Sequence, residues 1–269
     1  FHTFGEAAEA LDYVRAAPLP LVVKADGLAL GKGVIIAQTR EEAEQAVREV
    51  MCDKKFGAAG NRVVIEEFLT GREVSVLAFT DGRTVRPMVA SQDHKRAFDH
   101  DEGLNTGGMG TFAPSRFYTP ALAERCMKEV FQPTVAAMNA EGRPFKGVLY
   151  FGLMIDGEKV RVLEYNARFG DPETQEGACV CVILASGGYP VRYEKGKPIT
   201  IGRMDEGIRL YHAGTKRTAD GQLVTDGGRV RGVTAKGRDL EEARAKAYAN
   251  VEKIHFDGMF FRHDIGFKL

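Results

Sequence analysis

Three stretches of this sequence hold residue types that can do chemistry, at spacings that let them do it. The first is Lys24 followed by the short loop Gly27–Gly33, in which Gly27, Gly31, Lys32 and Gly33 stand close together. A lysine fixed at the end of a strand can set its charge on phosphate oxygens while glycine amides close over them from the other side. The spacing is one residue short of a Walker A loop, and Gly33 stands where Ser or Thr would hold magnesium. Nor is it a dinucleotide fingerprint. A glycine-rich hairpin with a lysine at a strand end would present the same letters.

The second stretch is Glu66, Glu67, Phe68 and Leu69, with Glu73 just beyond. A strand ending in a carboxylate, a free amide and an apolar side chain can pair with an adenine edge, and a later glutamate can accept from ribose hydroxyls. Either glutamate alone would pass for a surface residue. The third stretch is Glu164 to Asp171. Glu164 and Asn166 lie two apart on a predicted strand, so they point to one face and can share a magnesium ion. Arg168 projects to that face too, where it could neutralise charge developing on a transferred phosphoryl group. A buried strand has no reason of its own to align Glu, Asn and Arg.

The elements that must position these groups are legible in outline. Thr3 and Glu6 suggest a capping box for a helix that Pro18 and Pro20 stop. Leu21–Lys24 and Val34–Ala37 predict a hairpin with a glycine-loaded tip. Thr39 caps a second helix running to Val50, with Glu41 and Glu42 against its dipole. Val63–Phe68 and Val74–Thr80 read as another strand pair. The stretch 86–115 lacks periodicity and is dense in glycine and polar residues, the mark of a long functional loop. Pro120–Asn139 reads as a helix with Leu122, Met127, Val130, Val135 and Met138 toward a core. Lys146–Ile155 and Val160–Tyr165 flank an Asp156-Gly157 turn. Short strands at Val180–Leu184, Ile208–His212 and Arg229–Ala235, a helix at Leu240–Ile254 and a strand near Met259–Asp264 complete the chain. The division expected is 1–78, 79–176 and 177–269, an α+β class with a mostly-β C-terminal domain.

Composition sets the bounds. With 269 residues, and 37 basic residues balanced by 37 acidic ones, the chain has no overall field to draw it onto nucleic acid or an anionic membrane. Any anionic ligand needs a local site. Four cysteines, Cys52, Cys126, Cys179 and Cys181, follow no zinc spacing and are too sparse for a disulfide framework, which suits a reducing cytoplasm. Cys179 and Cys181 read as buried small hydrophobes. No apolar run reaches membrane-spanning length and no leader opens the chain, although Phe1 is not a natural start.

The three stretches in this order resemble the ATP-grasp superfamily, in which two α+β subdomains clamp ATP. VVKADGLALGKG at 22–33, EEFLTGREVS at 66–75, QDHKR at 92–96, NTGGMG at 105–110, EYNARFGDPETQ at 164–175, HAGT at 212–215 and GGRV at 227–230 resemble, more narrowly, the glycinamide ribonucleotide synthetase family. The resemblance spans essentially the whole chain. It implies an ATP-dependent carbon–nitrogen ligase of de novo purine biosynthesis that joins glycine to 5-phosphoribosylamine through glycyl phosphate, releasing ADP and phosphate. It implies Mg²⁺ or Mn²⁺, with ATP as co-substrate, small-molecule partners rather than nucleic acid or membrane, and a cytoplasmic setting. ATP would meet Lys24, Gly27, Gly31, Lys32, Gly33, Glu66, Glu67, Phe68, Leu69 and Glu73, and the metal Glu164 and Asn166. Asp93, His94, Lys95 and Arg96, with Asn105, Thr106, Gly107, Gly108, Met109 and Gly110, would shape the pocket for glycine and the amine. Arg168, Asp171 and Pro172 would complete it, Arg168 and Asp171 as catalytic groups. His94 also reads as a loop histidine steadying its turn. HAGT and GGRV carry turn chemistry and read as structural.

The sequence departs from that family in three places. The family opens with a glycine-rich nucleotide-binding-like domain, and nothing before Phe1 supplies it. Gln175 runs directly into Glu176–Cys179, where the family has a helical stretch. Val148–Ile155 carries no carboxylate, so water or substrate phosphate would fill that metal position. Two other readings follow: a nucleotide-binding fragment without turnover, or a ligase for another carboxylate and amine.

Overall fold

The computed structural model describes residues 1–27, 29, 33–170 and 177–267. Its contacts divide the chain into two units, Phe1–Thr70 and Gly71–Leu269.

In the first unit four antiparallel strands lie in the order His2–Phe4, Val63–Glu67, Leu21–Ala25, Val34–Ala37. Leu21, Val23, Val63 and Ile65 form one face and pack with Ala10, Val14, Ala43, Ala46 and Val47 from helices Ala7–Ala16 and Arg40–Val47. Removing such β-branched and leucine side chains from water is worth about 1.5–3 kcal/mol each. The second helix starts on a reciprocal cap: Glu42 N–H donates to Thr39 Oγ1 and the Glu42 carboxylate accepts the Thr39 N–H. The expected cap at Thr3 does not form. Thr3 is taken into the edge strand opposite Val64, and the helix starts after Glu6 with no side-chain cap.

The second unit holds two larger sheets. One runs Lys159–Asn166, Gly147–Asp156, Arg72–Thr80, Val85–Pro87, all antiparallel. Val74, Val76, Ala78, Leu149, Phe151, Leu153 and Ile155 bury one face under the helical stretch Pro120–Ala140, which adds Cys126, Val130, Phe131 and Val135. The other, six-stranded, runs Arg209–His212, Arg229–Gly237, Ala178–Ser186, Gly110–Ala113, Gln92–Asp93, with Met259–Phe260 also pairing Ala178–Ser186. Helix Leu240–Val251 covers it through Ala243, Ala247 and Val251.

Two expectations about organisation are corrected. Val63–Glu67 and Arg72–Thr80 are not a strand pair: the first is central in its own sheet, whereas the second is paired along its length, Arg72 to Thr80, with Ile155 to Gly147. The boundary therefore falls at Thr70, not residue 78. The C-terminal strands share a sheet with the preceding segment, since Ala178–Ser186 is hydrogen-bonded to Gly110–Ala113. The long loop 86–115 also carries short strands, among them a hairpin of Arg96–Phe98 and Glu102–Asn105.

Candidate functional site

In the first unit, Val64 lies opposite Lys24 and Glu66 opposite Val22, which makes Lys24 and Glu66 diagonal neighbours on one face. Their charges meet at 2.7 Å, both side chains about a quarter exposed (22% and 27%). Gly27 and Gly33 bound the loop where neighbouring alanines leave no room for a side chain: a Cβ would lie 2.8 Å from the Ala59 Cα at Gly27 and 2.7 Å from the Ala29 Cβ at Gly33. Glu67 is exposed, and Phe68 and Leu69 are half-buried. Gly31 and Lys32 lie outside the described residues, as do Asp171 and Pro172.

The second unit builds its site from strand alternation. One face of the Lys159–Asn166, Gly147–Asp156, Arg72–Thr80 sheet is core; the other carries Glu73 and Ser75, then Tyr150 and Gly152, then Glu164 and Asn166. Gly152, opposite both Ser75 and Glu164, leaves space that any Cβ would fill, 2.9 Å from the Glu164 Cγ. Ser75 and Tyr150 share a buried 2.6 Å hydroxyl hydrogen bond, and the Arg168 guanidinium sits 5.6 Å from the Tyr150 ring centre. Ser75 also exchanges backbone hydrogen bonds with Ser91, which brings residues 92–95 onto this face.

Lys95 is the hub. Its ammonium bonds the Glu73 carboxylate and lies 3.7 Å from the Glu164 carboxylate. Burial works against the charge, but Glu73 and then Glu164 outweigh it and raise the Lys95 pKa. Asp93 is half-buried nearby, and burial pushes its carboxyl up to about 6 against the pull of Lys95. Its Oδ1 finds no hydrogen-bond partner among the described residues. The carboxylate lies on Gly108, where φ is +105° and a Cβ would come within 2.8 Å of it. Only glycine accepts both conditions. Thr106 closes the loop by donating N–H and Oγ1 to the Lys95 carbonyl at 2.7 and 2.8 Å, and Gly107 N–H donates to the Tyr189 hydroxyl at 3.1 Å.

The expected residues thus divide. Glu73, Asp93, Lys95, Glu164, Asn166, Arg168 and the Thr106–Gly108 turn gather around one sheet face. Glu73 is corrected from the first segment to the second unit, where its carboxylate faces Lys95. His94 and Met109, expected in the pocket, are buried: His94 is 4% exposed with its ring 5.7 Å from that of Phe112, and Met109 is fully buried. Burial holds the His94 imidazole down at about 4. Arg96 turns to the Gly103 carbonyl, and Asn105 is exposed in the hairpin. Gly110 packs on Ile265. Ser75, Tyr150, Tyr189 and Arg229 were missed. For Tyr150 the signal was alternation with Gly152; for Arg229 it was GGRV, whose arginine donates to the Gly107 carbonyl rather than merely shaping a turn.

Glu164 and Asn166 offer two oxygen donors on one half-exposed strand end, which fits a magnesium ion that completes its shell with water and phosphate. Among the described residues, no group of three or more His, Cys, Asp or Glu stands ready to hold a metal unaided. A separate cleft of about 400 Å³ is lined by Arg192, Tyr193, Glu194, Lys197 and Asp257, but Glu194 and Asp257 already match the Lys197 charge.

Residues 1–174 match the family model described as phosphoribosylglycinamide synthetase, ATP-grasp (A) domain, and residues 179–268 match that of the phosphoribosylglycinamide synthetase C domain. The phosphoribosylamine–glycine ligase of Vibrio parahaemolyticus is 46% identical over 301 aligned residues, covering 100% of this chain and 70% of that protein. The ligase of that name from Escherichia coli K12 is 44% identical, with the same coverage. Among solved structures, phosphoribosylamine–glycine ligase from Thermotoga maritima superposes with a TM-score of 0.88 at 36% identity, covering 98% of this chain and 73% of that one. A biotin carboxylase domain from Hydrogenobacter thermophilus, at 13% identity and a TM-score of 0.68 over 95% and 61% of the two chains, shares the fold.

Proposed function

The chain belongs to the phosphoribosylglycinamide synthetase family of ATP-dependent carbon–nitrogen ligases in purine biosynthesis, and from that premise we propose how its residues carry the reaction. A glycine carboxylate oxygen attacks the γ-phosphorus of ATP, and ADP leaves. The phosphoribosylamine nitrogen then attacks the carbonyl of glycyl phosphate; phosphate leaves with the bonding pair and the nitrogen loses a proton. No protein nucleophile is needed, so positioning and charge stabilisation do the work.

Lys24 meets nucleotide phosphate, with Glu66, Glu67, Phe68 and Leu69 along the base and Glu73 at ribose. Glu164 and Asn166 would hold magnesium, or manganese, whose charge offsets that of the phosphate oxygens. Arg168, beside Tyr150, faces the charge that builds on the transferred group. Asp93, Lys95 and the Thr106–Gly108 turn take glycine and the amine, and Asp171 and Pro172 extend that pocket. The partners are small molecules, and the setting is the cytoplasm. Separately, no helix among the described residues is long and apolar enough to cross a membrane.

The observation that supports this reading most is the sheet face on which Glu73, Glu164, Asn166 and Tyr150 converge with Lys95 while the opposite face is core. The test is a substrate-omission series on the whole enzyme. ADP should form only with glycine present, and amide only when phosphoribosylamine is added. Preference for another amino acid or amine would leave the ligase class standing and remove the substrate assignment.

A further inference from the structure

Between Gln92–Asp93 and Gly110–Ala113 the chain leaves the six-stranded sheet as the hairpin Arg96–Phe98 and Glu102–Asn105, rooted at Lys95 and Thr106. Its tip is held in an unfavourable shape. His100 and Asp101, adjacent and neither of them glycine, have φ of +60° and +57°. Such pairs persist only when their surroundings fix them.

Three consecutive residues near the C-terminus supply that fixing. Arg262 Nη1 donates to Asp101 Oδ1 at 2.9 Å and to the Arg96 carbonyl at 3.1 Å. Asp264 Oδ2 accepts the His100 N–H at 3.0 Å, and Asp99 Oδ1 accepts the His263 N–H at 2.6 Å. Arg262 is fully buried and anchored by Asp264 at 2.6 and 2.7 Å. Helix Leu240–Val251 holds the segment in turn: the Tyr248 hydroxyl donates to the Arg262 carbonyl and accepts the Ile265 N–H. An apolar contact already joins hairpin and segment, with the Phe98 and Phe260 rings 5.8 Å apart. A buried guanidinium adds what that contact lacks, a direction and a register, at the cost of desolvating a charge.

We propose that Arg262 is a positioning residue of the ligase: through Asp101 and the Arg96 carbonyl it fixes the hairpin whose root places Lys95 and Thr106 in the substrate pocket. The proposal rests on the assignment of Asp93, Lys95 and the Thr106–Gly108 turn to substrate. Loosening the hairpin lowers the fraction of enzyme in the binding-competent arrangement, and the apparent affinity for substrate falls by that fraction. Bound substrate restores the arrangement, so turnover at saturation survives. A merely structural role would behave otherwise, since partial unfolding removes active enzyme and lowers kcat at unchanged KM.

The experiment compares Arg262→Gln, Arg262→Lys and Asp101→Asn in the whole enzyme, with Lys95→Met as control. Arg262→Gln and Asp101→Asn should raise the KM for glycine or phosphoribosylamine about tenfold, with kcat within about threefold and nucleotide affinity unchanged. Arg262→Lys, which keeps the charge and loses the fork, should fall between them and wild type. Should Arg262→Gln fail to fold, Asp101→Asn decides alone, because that side chain is half-exposed at a hairpin tip (47%). Wild-type KM in a folded Asp101→Asn, or a fall in kcat alone, overturns the positioning role while loss of ligation in Lys95→Met keeps the substrate assignment. Full ligation in Lys95→Met overturns the assignment and the proposal with it.

Discussion

Each unit holds a lysine among carboxylates, but the two are assembled differently. Lys24 meets Glu66 across neighbouring strands of one small sheet, and their register alone makes them diagonal partners. Lys95 extends from a loop of the second unit and collects Glu73 and Glu164 from two strands that do not pair with each other, separated by Gly147–Asp156. The first is a local pair, partly hydrated, in which solvent screening limits what the contact is worth. The second is a junction: one ammonium on a loop holds together carboxylates from two strands, at a place where burial has raised the carboxyl of the nearby Asp93. A cation at a junction has more to lose, because its removal leaves two carboxylates facing each other.

The widest gap between the two lysines should appear on truncation. Lys95→Met should lower ligation at least about a hundredfold, the usual effect of removing one charge-stabilising group, while nucleotide affinity changes little. Steady-state kinetics beside nucleotide titration would check it; equal losses in both would erase the distinction.

The junction should also show in the pH dependence of stability. The Asp93 carboxyl is raised by burial to about 6, so its contribution is fully present below the ordinary aspartate range and is lost as pH rises through about 6. The His94 imidazole is lowered, first by burial and then by Arg262, to about 4, so its contribution is present above the ordinary histidine value and lost as pH falls through about 4. The two slopes oppose each other between about pH 4 and 6, at about 3 kcal/mol each. Asp93→Asn should therefore leave stability rising with pH across that window, and His94→Gln should leave it falling. Denaturant midpoints at four or five pH values would reveal either slope; parallel curves for both variants would contradict the burial account.

The smallest effect belongs to the first unit. Lys24→Met should weaken ATP binding about tenfold and leave the KM for glycine unchanged, since one partly hydrated charge on phosphate is worth about 1–2 kcal/mol. Calorimetric titration with a non-hydrolysable nucleotide would check it. A loss as large as that of Lys95→Met would make the two lysines equivalent.

Much of this was legible in the chain itself. The cap at Thr39, the chain reversal just after Asp156 and the two-residue spacing that puts Glu164 and Asn166 on one face are local signals, set by residues within a turn or a strand pleat of each other. They came out as expected. Thr3 failed as a cap although its spacing was right, because pairing with Val64, far along the chain, took it first. His94 was placed in the pocket by the family resemblance of 92–96, yet its backbone hydrogen bonds with Gly110 and Met109 turn its ring into the core beside Phe112.

The sequence by itself determined the family, the order of its motifs and the alternation that separates a core face from a site face, since these depend on residue type and short spacing. Only the tertiary structure decided that Arg72–Thr80 pairs with Gly147–Asp156 and so carries Glu73 into the second unit. It alone put Lys95 between Glu73 and Glu164, and buried Arg262 against the hairpin of Arg96–Phe98 and Glu102–Asn105. Those are choices of partner among distant groups of similar chemistry, and a strand or a charge carries no local mark of which distant partner will satisfy it.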